Sequence, residues 1–532
     1  MTLQPAVATS ESPLPTGENT AGNWLVKLDA LAVVSATQPV PLWANRVVLL
    51  GLFLFALAVP HSIFAANVGL NLSLLAWIIR DVTLHKLHFR RTPFDRPLLW
   101  FAGLTVLSAI FSVEPAISLP KLKSLLLFGV IYLLAANLRS QAARWLLGVL
   151  LCSSLTGAGF SLVEKAYGRG MVIATIAADS PLTAQLSGDQ VLPGDVIWMI
   201  AKQRVSSVAE AAAIIRSRKD GEQLEVETLR AGDPLPVKLV VTPALKNSAN
   251  PLGITAAGRT RRFRVSGFTR QFLTYAEQMQ MLALLCYGLF LSALTRAKSS
   301  RWPSLALLFG GLFLLFSLTL ALTASRAVSA AFLLAFLLVS LAVGGRRTKV
   351  AALLLIVLLG GVSVYVISTA RQTGTISFSD DSSARRLAYM RAGLKLIPQH
   401  PWLGVGQDAH KLHWREWGFP GAYVTHTHST PLQLALDRGV PALGCYVWLL
   451  ATMFSLAWRG YRQRSRQPLP PISAWLTGLP LGAFGALLGF AFSSLANYNF
   501  GDSEVLLLLL LLVGLVLISG QADLKHEQLP VA

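Results

Sequence analysis

Twelve apolar stretches punctuate this 532-residue chain, and most approach the twenty or so residues that a helix needs to cross a hydrocarbon core. They fall near 47–66, 68–80, 97–113, 120–138, 144–163, 272–295, 303–324, 328–343, 350–369, 433–457, 472–495 and 502–519. The composition agrees: 53% of residues are hydrophobic and only 14% charged, well below the roughly 25% charged of soluble domains. A mean hydropathy of +0.55 excludes a soluble enzyme and a disordered chain. The expected fold is an α-helical polytopic membrane protein of about twelve transmembrane helices. Residues 1–23, rich in Ser, Thr, Pro and Gly, read as disordered, and no cleaved signal peptide is expected.

The net charge of +20 would point to nucleic acid in a soluble protein. Here its placement matters more. Basic clusters at Arg80–Arg96, Arg139 and Arg144, Arg296–Arg301, Arg346–Lys349 and Arg459–Arg466 all fall on one side of a twelve-span chain. The positive-inside rule makes that side cytoplasmic, with both termini. No nucleic-acid partner is required. Two long hydrophilic segments, 164–271 and 370–432, then lie outside. Arg259, Arg261, Arg262, Arg264 and Arg270 break the rule, because they precede a span on the outer side. They form either an interfacial helix on anionic headgroups or a positive rim, led by Arg262 and Arg264, that collects a phosphorylated lipid. Cys152, Cys286 and Cys445 all sit in apolar stretches and read as buried structural thiols.

Residues 167–246 have a different texture, with nine Lys/Arg balanced by nine Asp/Glu. Short β-type runs at 171–177, 196–200, 224–229 and 237–241 surround a helical run at 208–218, with turn signals between them. Asp179-Ser180-Pro181, Leu192-Pro193-Gly194-Asp195-Val196-Ile197, Val205-Ser206-Ser207, Gly221 and Arg230-Ala231-Gly232 resemble a bacterial PDZ domain. The resemblance implies a small α/β insert on the periplasmic side, able to take a peptide as an added strand or serving as a spacer. Leu252-Gly253-Ile254 could supply a permuted carboxylate-binding loop. A membrane protease is disfavoured, since none of the nine histidines has His-Glu-x-x-His spacing and no Gly-x-Ser-x-Gly elbow occurs.

The second outer segment is too long for an idle loop. Asp380-Asp381-Ser382-Ser383 opens a helix in which Leu387, Met390, Leu394 and Ile397 recur at helical spacing. Arg385 and Arg386 lie in its first turn, where cations oppose the helix dipole. They pair with Asp380 and Asp381 or meet an anion from elsewhere. Pro401 to Gly406 reads as a simple turn, or as one whose Gly404 and Gly406 amides face an anion. In Thr425-His426-Thr427-His428-Ser429-Thr430-Pro431-Leu432-Gln433, Thr430 is the expected N-cap and Gln433 closes a capping box. His428 then sits just outside a helix N-terminus, which favours a neutral imidazole able to accept a proton. His426, two residues away on an extended chain, is expected to point elsewhere. Arg326, at the close of a span, is costly near hydrocarbon unless it snorkels or meets an anion.

Three stretches resemble the O-antigen ligase and polymerase family of bacterial envelope glycosyltransferases. Thr323-Ala324-Ser325-Arg326 is similar to its "T.SR" motif, and Arg386 to Gly406 to a segment ending in "PllGvG". His428-Ser429 followed after nine residues by Gly439 resembles "H[NSQ]x9Gxx[G/T/S]", although Ala442 departs from the last position. The resemblance implies an inner-membrane enzyme with its site facing the periplasm. It would transfer a glycan from undecaprenyl diphosphate to an acceptor hydroxyl, with no metal and no cofactor. Lipid A–core is the expected acceptor, and a growing glycan or a protein the alternative. The implied catalytic residues are His428 as base, with Arg326 and Arg386 binding the diphosphate. Arg385, His426, Gly404, Gly406, Arg262 and Arg264 are implied substrate contacts. A PDZ-bearing sensor or a transporter, the latter using Glu277, is the competing class. The expected organisation is 1–23 N-terminus, 24–166 first helices, 167–257 insert, 258–369 further helices, 370–432 catalytic loop, 433–519 last helices and 520–532 tail.

Overall fold

The structure, a computed structural model, describes residues 20–183, 191–230, 233–269, 271–297, 304–371, 381–421, 425–467 and 474–520. The N-terminal segment up to residue 19, the 520–532 tail beyond Gly520, Arg270, Asp380 and Ala231-Gly232 lie outside the described residues.

The chain begins with a short helix, α1 (Thr20–Asp29), then α2 (Pro39–Ala58), α3 (Ile63–Thr83) and α4 (Asp95–Ile110). The next span, 115–137, is built from α5 (Pro115–Ser118), a 3₁₀ stretch and α6 (Gly129–Asn137), and α7 (Ser140–Tyr167) follows. After an insert come α10 (Phe272–Ala297), α11 (Ser304–Leu322), α12 (Arg326–Val343) and α13 (Arg346–Arg371). The outer helix α14 (Asp381–Leu396) precedes α15 (Thr430–Ser465), α16 (Ala474–Ser493) and α17 (Ser503–Ser519). Among the described residues, ten helices are long and apolar enough to cross a membrane. The shorter α4 and α17 occupy the other two expected positions. The protein is thus a multi-pass membrane protein.

The first boundary differs from expectation. The spans expected at 47–66 and 68–80 are α2 and α3, with the break between them moved back to 59–62, because Pro60 interrupts the apolar stretch and Ser62 caps α3 by accepting from the Ala65 amide. Hydropathy does not register that break. Small residues let the spans approach closely: a Cβ at Gly51 would lie 2.7 Å from the Gly69 carbonyl of α3. Of the cysteines, Cys286 is buried, Cys445 half-buried and Cys152 exposed, so the expectation of three buried thiols fails at Cys152, whose side of α7 turns away from the bundle.

The insert is a six-stranded antiparallel sheet holding β1 (Met171–Ile176), β2 (Val196–Ile200), β3 (Gln203–Arg204), β4 (Gln223–Arg230), β5 (Asp233–Val240) and β6 (Ile254–Ala256). Its order is β5-β4-β2-β1-β6, with β3 folded back on β2. Helix α8 (Val208–Arg216) covers it, capped by Ser207, and α9 (Pro243–Asn247) packs beside α8. Leu252-Gly253-Ile254 leads into the edge strand β6, and the Gly253 carbonyl accepts from the Ala177 amide. The sheet is tied to the bundle by Arg169. Its guanidinium lies over Trp198 and Phe263 and pairs with Glu164 of α7 at 2.6 Å, while Glu164 also takes Arg204.

Candidate active site

Helix α15 sets the site. It contains Gly439 at φ 82° and ψ 166°, a region essentially reserved for glycine, followed by Pro441. Pro441 has no N–H to offer the Asp437 carbonyl, and the Val440 amide bonds Pro401 instead of Leu436. Two carbonyls are therefore left without helical donors. The turn at 401–406 supplies them: the Val405 amide donates to Leu436 and the Gly406 amide to Asp437, each at 2.9 Å, while the Gly404 amide donates to His400. This corrects the expectation for Gly404 and Gly406. The Gly406 amide is engaged by the kink of α15 and the Gly404 amide by the carbonyl of His400, so neither is turned toward an anion.

The loop entering α15 is held from below. Buried His410 meets the Thr425 carbonyl through Nε2 at 3.1 Å, and its Nδ1 lies 3.5 Å from Asp437 Oδ1. Asp437 accepts from Gln433, whose Oε1 accepts from the Thr427 amide. The capping box is thus displaced: Ser429 is the N-cap, Thr430 is the first helical residue, and Gln433 reaches back to Thr427. Thr430 donates from Oγ1 to Asn499 and from its amide to Ser494. Ser493 and Asn497, from the same region, bond buried Glu277 of α10. Glu277 therefore braces the loop beneath the site.

Held this way, His428 adopts φ +55°, which bends the chain and brings the two histidines together. Their rings lie 4.4 Å apart, and the His428 amide donates to His426 Nδ1 at 3.1 Å. The extended chain that would have separated them is absent. Because His426 Nδ1 is an acceptor, a neutral His426 carries its proton on Nε2. His428 Nδ1 is buried without a partner, which leaves Nε2 as the nitrogen that reaches the open side. Tyr389 stacks beside His428 and Tyr498 beside His426.

Both imidazoles are held neutral. Burial pushes His428 down to about 3, with the charges of His426 and Arg386 adding to it. Burial likewise lowers His426 to about 4, assisted by Lys411, His410 and Arg386 and opposed by Asp408. The field of Arg386 reaches both rings. Its Nη1 also lies 3.4 Å from the Ala496 carbonyl and 3.5 Å from Asn497 Oδ1.

Arg326 opens α12 rather than closing the helix before it, after Ala324 turns at φ +51°. Its Nη2 donates to Ser383 at 3.1 Å. Ser383 lies one turn before Arg386 on α14, so Arg326 approaches the same face that carries Arg386. That face continues through Tyr389 to Gly393, where a Cβ would meet Thr427 at 2.9 Å. The expected stripe of Leu387, Met390, Leu394 and Ile397 has the right period but is offset: Leu387 and Leu394 are exposed, and Tyr389, Ala392 and Leu396 are buried. Arg385, on the next face, is exposed.

The outer basic segment divides. Arg262 is exposed, as a rim requires. Arg264 is buried, with its guanidinium over Phe272, so it packs the base of the segment and does not form a rim. The Val265 amide donates to Leu322 at the end of α11, which puts this segment at the level of Arg326. Arg438 was not expected at the site. It is buried, bonds Gln407 at 2.9 Å and lies beside Tyr498. Its neighbour Gly439 gives the sequence signal, a glycine followed by Val440-Pro441 inside an apolar helix. Among the described residues, no group of three or more His, Cys, Asp and Glu converges on a common point.

Residues 311–447, from mid-α11 into α15, match the family model described as O-Antigen ligase. That interval carries Arg326, Arg385, Arg386, His426 and His428. No curated protein matches the chain.

Proposed function

We propose that this chain, whose residues 311–447 match the O-antigen ligase family model, transfers a glycan from undecaprenyl diphosphate to an acceptor hydroxyl on the periplasmic face of the bacterial inner membrane. The observation that carries this reading is the meeting of His428 and His426 with the Arg386 face of α14, which Arg326 also approaches.

His428 Nε2 takes the proton of the acceptor hydroxyl as its oxygen attacks the anomeric carbon. The bond from that carbon to the diphosphate oxygen breaks, and undecaprenyl diphosphate leaves with the electron pair. Arg326 and Arg386 stabilise the departing charge in forked geometry, and Arg385 and Arg262 extend the positive surface around it. An anionic donor beside the imidazoles offsets the Arg386 field, so His428 becomes a stronger base only when donor is bound. His426 receives the His428 amide and fixes the strained turn. Neither a metal nor a cofactor has a part in this route.

The acceptor we favour is lipid A–core, with a growing glycan or a protein hydroxyl as the alternative. The insert, PDZ-like in its sequence pattern, presents edge strand β6 beside α8, where a peptide of a protein acceptor or partner could add as a strand. The test is purified full-length protein with undecaprenyl-diphosphate glycan, a chelator, and lipid A–core, free glycan or protein acceptor in separate reactions. Transfer to lipid A–core alone supports ligation. Transfer only to glycan or to protein moves the assignment to that acceptor, and no transfer to any of them removes the proposal.

A further inference from the structure

The far end of α15 carries a second arginine cluster, at the opposite end of the bundle from His428. A cavity of about 390 Å³ opens there between the C-terminal halves of α15 and α17, α6, and the loop before α4. Arg90, Arg91, Arg459 and Arg464 line it, and no acidic residue does. Two separate parts of the sequence thus converge four guanidinium groups on one space.

The cations differ in their roles. Arg464 is buried and donates to the Leu476 carbonyl at 2.9 Å and to Ser519 at 3.1 Å, joining the ends of α15, α16 and α17. Arg90, Arg91 and Arg459 are exposed, and among the described residues no hydrogen bond or ion pair engages them. The Arg91 charge reaches Asp95, whose carboxylate already accepts from Thr92 and Tyr132. The loop that bears Arg90 and Arg91 is fixed in place. Phe89 stacks on Tyr132 at 5.1 Å, and the His88 amide donates to Asp81 at 2.7 Å. The site is preorganised.

The cavity's shape favours one kind of anion. Its α15 wall runs from Thr452 to Arg464, about 18 Å along the axis at 1.5 Å per residue. The apolar lining comes mainly from the elements facing it: Pro93 before α4, Ala135 of α6, and Val516 and Leu517 of α17, with Leu456 of α15. A free phosphate would use the arginines and leave the apolar length empty. A lipid phosphate would use both, with its headgroup between the arginines and its chain along α15 and α17. We propose that this cavity binds an anionic glycerophospholipid from the leaflet opposite the active site. The proposal stands apart from the glycan-transfer reading and is tested without it.

The experiment is native mass spectrometry of the full chain, stripped of lipid and titrated with phosphatidylglycerol or with phosphatidylcholine of the same chains. Phosphatidylglycerol is expected to bind the wild type about tenfold or more tighter. The preference should vanish in Arg90→Ala/Arg91→Ala/Arg459→Ala and persist in Arg346→Ala/Arg347→Ala/Lys349→Ala, which removes an equally basic but open patch at the start of α13. Should the first triple variant fail to fold, Arg459→Gln alone should weaken the preference severalfold. Millimolar inorganic phosphate should not displace the lipid. Equal binding of the two lipids by the wild type, equal loss in both triple variants, an unchanged preference in Arg459→Gln, or displacement by inorganic phosphate would each overturn the proposal.

Discussion

The two ends of α15 set arginines to different work. At its start, Arg386 lies near two imidazoles and the Asn497 loop, with Arg326 bonded to Ser383 one turn away, and burial there keeps His428 and His426 uncharged. At its finish, Arg90, Arg91 and Arg459 face a cavity that no acidic residue lines. The same cation tunes a proton acceptor in one setting and offers a bare positive surface in the other. Its task is decided by what is buried beside it.

Removing the imidazole breaks the comparison most severely. His428→Ala should lose roughly 10²–10⁴-fold in transfer rate, measured as labelled glycan appearing on the acceptor. A variant that keeps the wild-type rate would reduce the first end to another basic patch. Arg386→Ala should cost about 10²-fold or more in the same assay, because it removes a charge-assisted donor from the leaving group. Gly439→Ala sharpens the contrast in another way. It forces an L residue into a glycine-only region, costing about 1–3 kcal/mol, and directs a Cβ onto the Trp402 carbonyl. The expected result is a lower unfolding temperature together with weaker transfer. Gly444→Ala, further along α15 in open space, should leave both unchanged. The smallest effect belongs to Arg385→Ala. Its exposed side chain on the neighbouring face should cost less than about tenfold, and a loss equal to that of Arg386→Ala would reassign the working register of α14.

The sequence disclosed what depends on neighbours along the chain. Short β-type runs at 196–200 and 224–229 marked β2 and β4 because a strand's residue preferences are local, and the helical run at 208–218 marked α8 for the same reason. Twelve apolar runs were visible because length and hydropathy suffice. Features set by remote contacts were not. The first span was misplaced because Pro60 and Ser62 break a run that remains apolar. The stripe on α14 was offset by two positions because its partners, Val405, Trp414 and Leu436, come from other segments. The turn at 401–406 could be read as a simple turn or as an anion-facing one, and the kink at Gly439 that takes the Val405 and Gly406 amides lies some thirty residues on. The histidine pair was hidden by a single dihedral: a left-handed His428 is costly in isolation and is supported here by the Gln433–Thr427 bond and by His426. Arg326, Arg386 and His428 were legible as motif residues, and their convergence was not.

The central claim is that a neutral, arginine-flanked imidazole accepts the acceptor's proton, and the pH dependence of kcat/KM tests it most directly. Protonated His428 cannot act as a base, so activity falls as pH drops through its pKa. Burial, then the His426 and Arg386 charges, lower that pKa to about 3 from the usual 6.5. The acid limb of wild-type kcat/KM should therefore lie well below 6.5, and removing a cation in Arg386→Gln should shift it to higher pH. An acid limb centred near 6.5 in the wild type, unmoved by Arg386→Gln, would contradict the account.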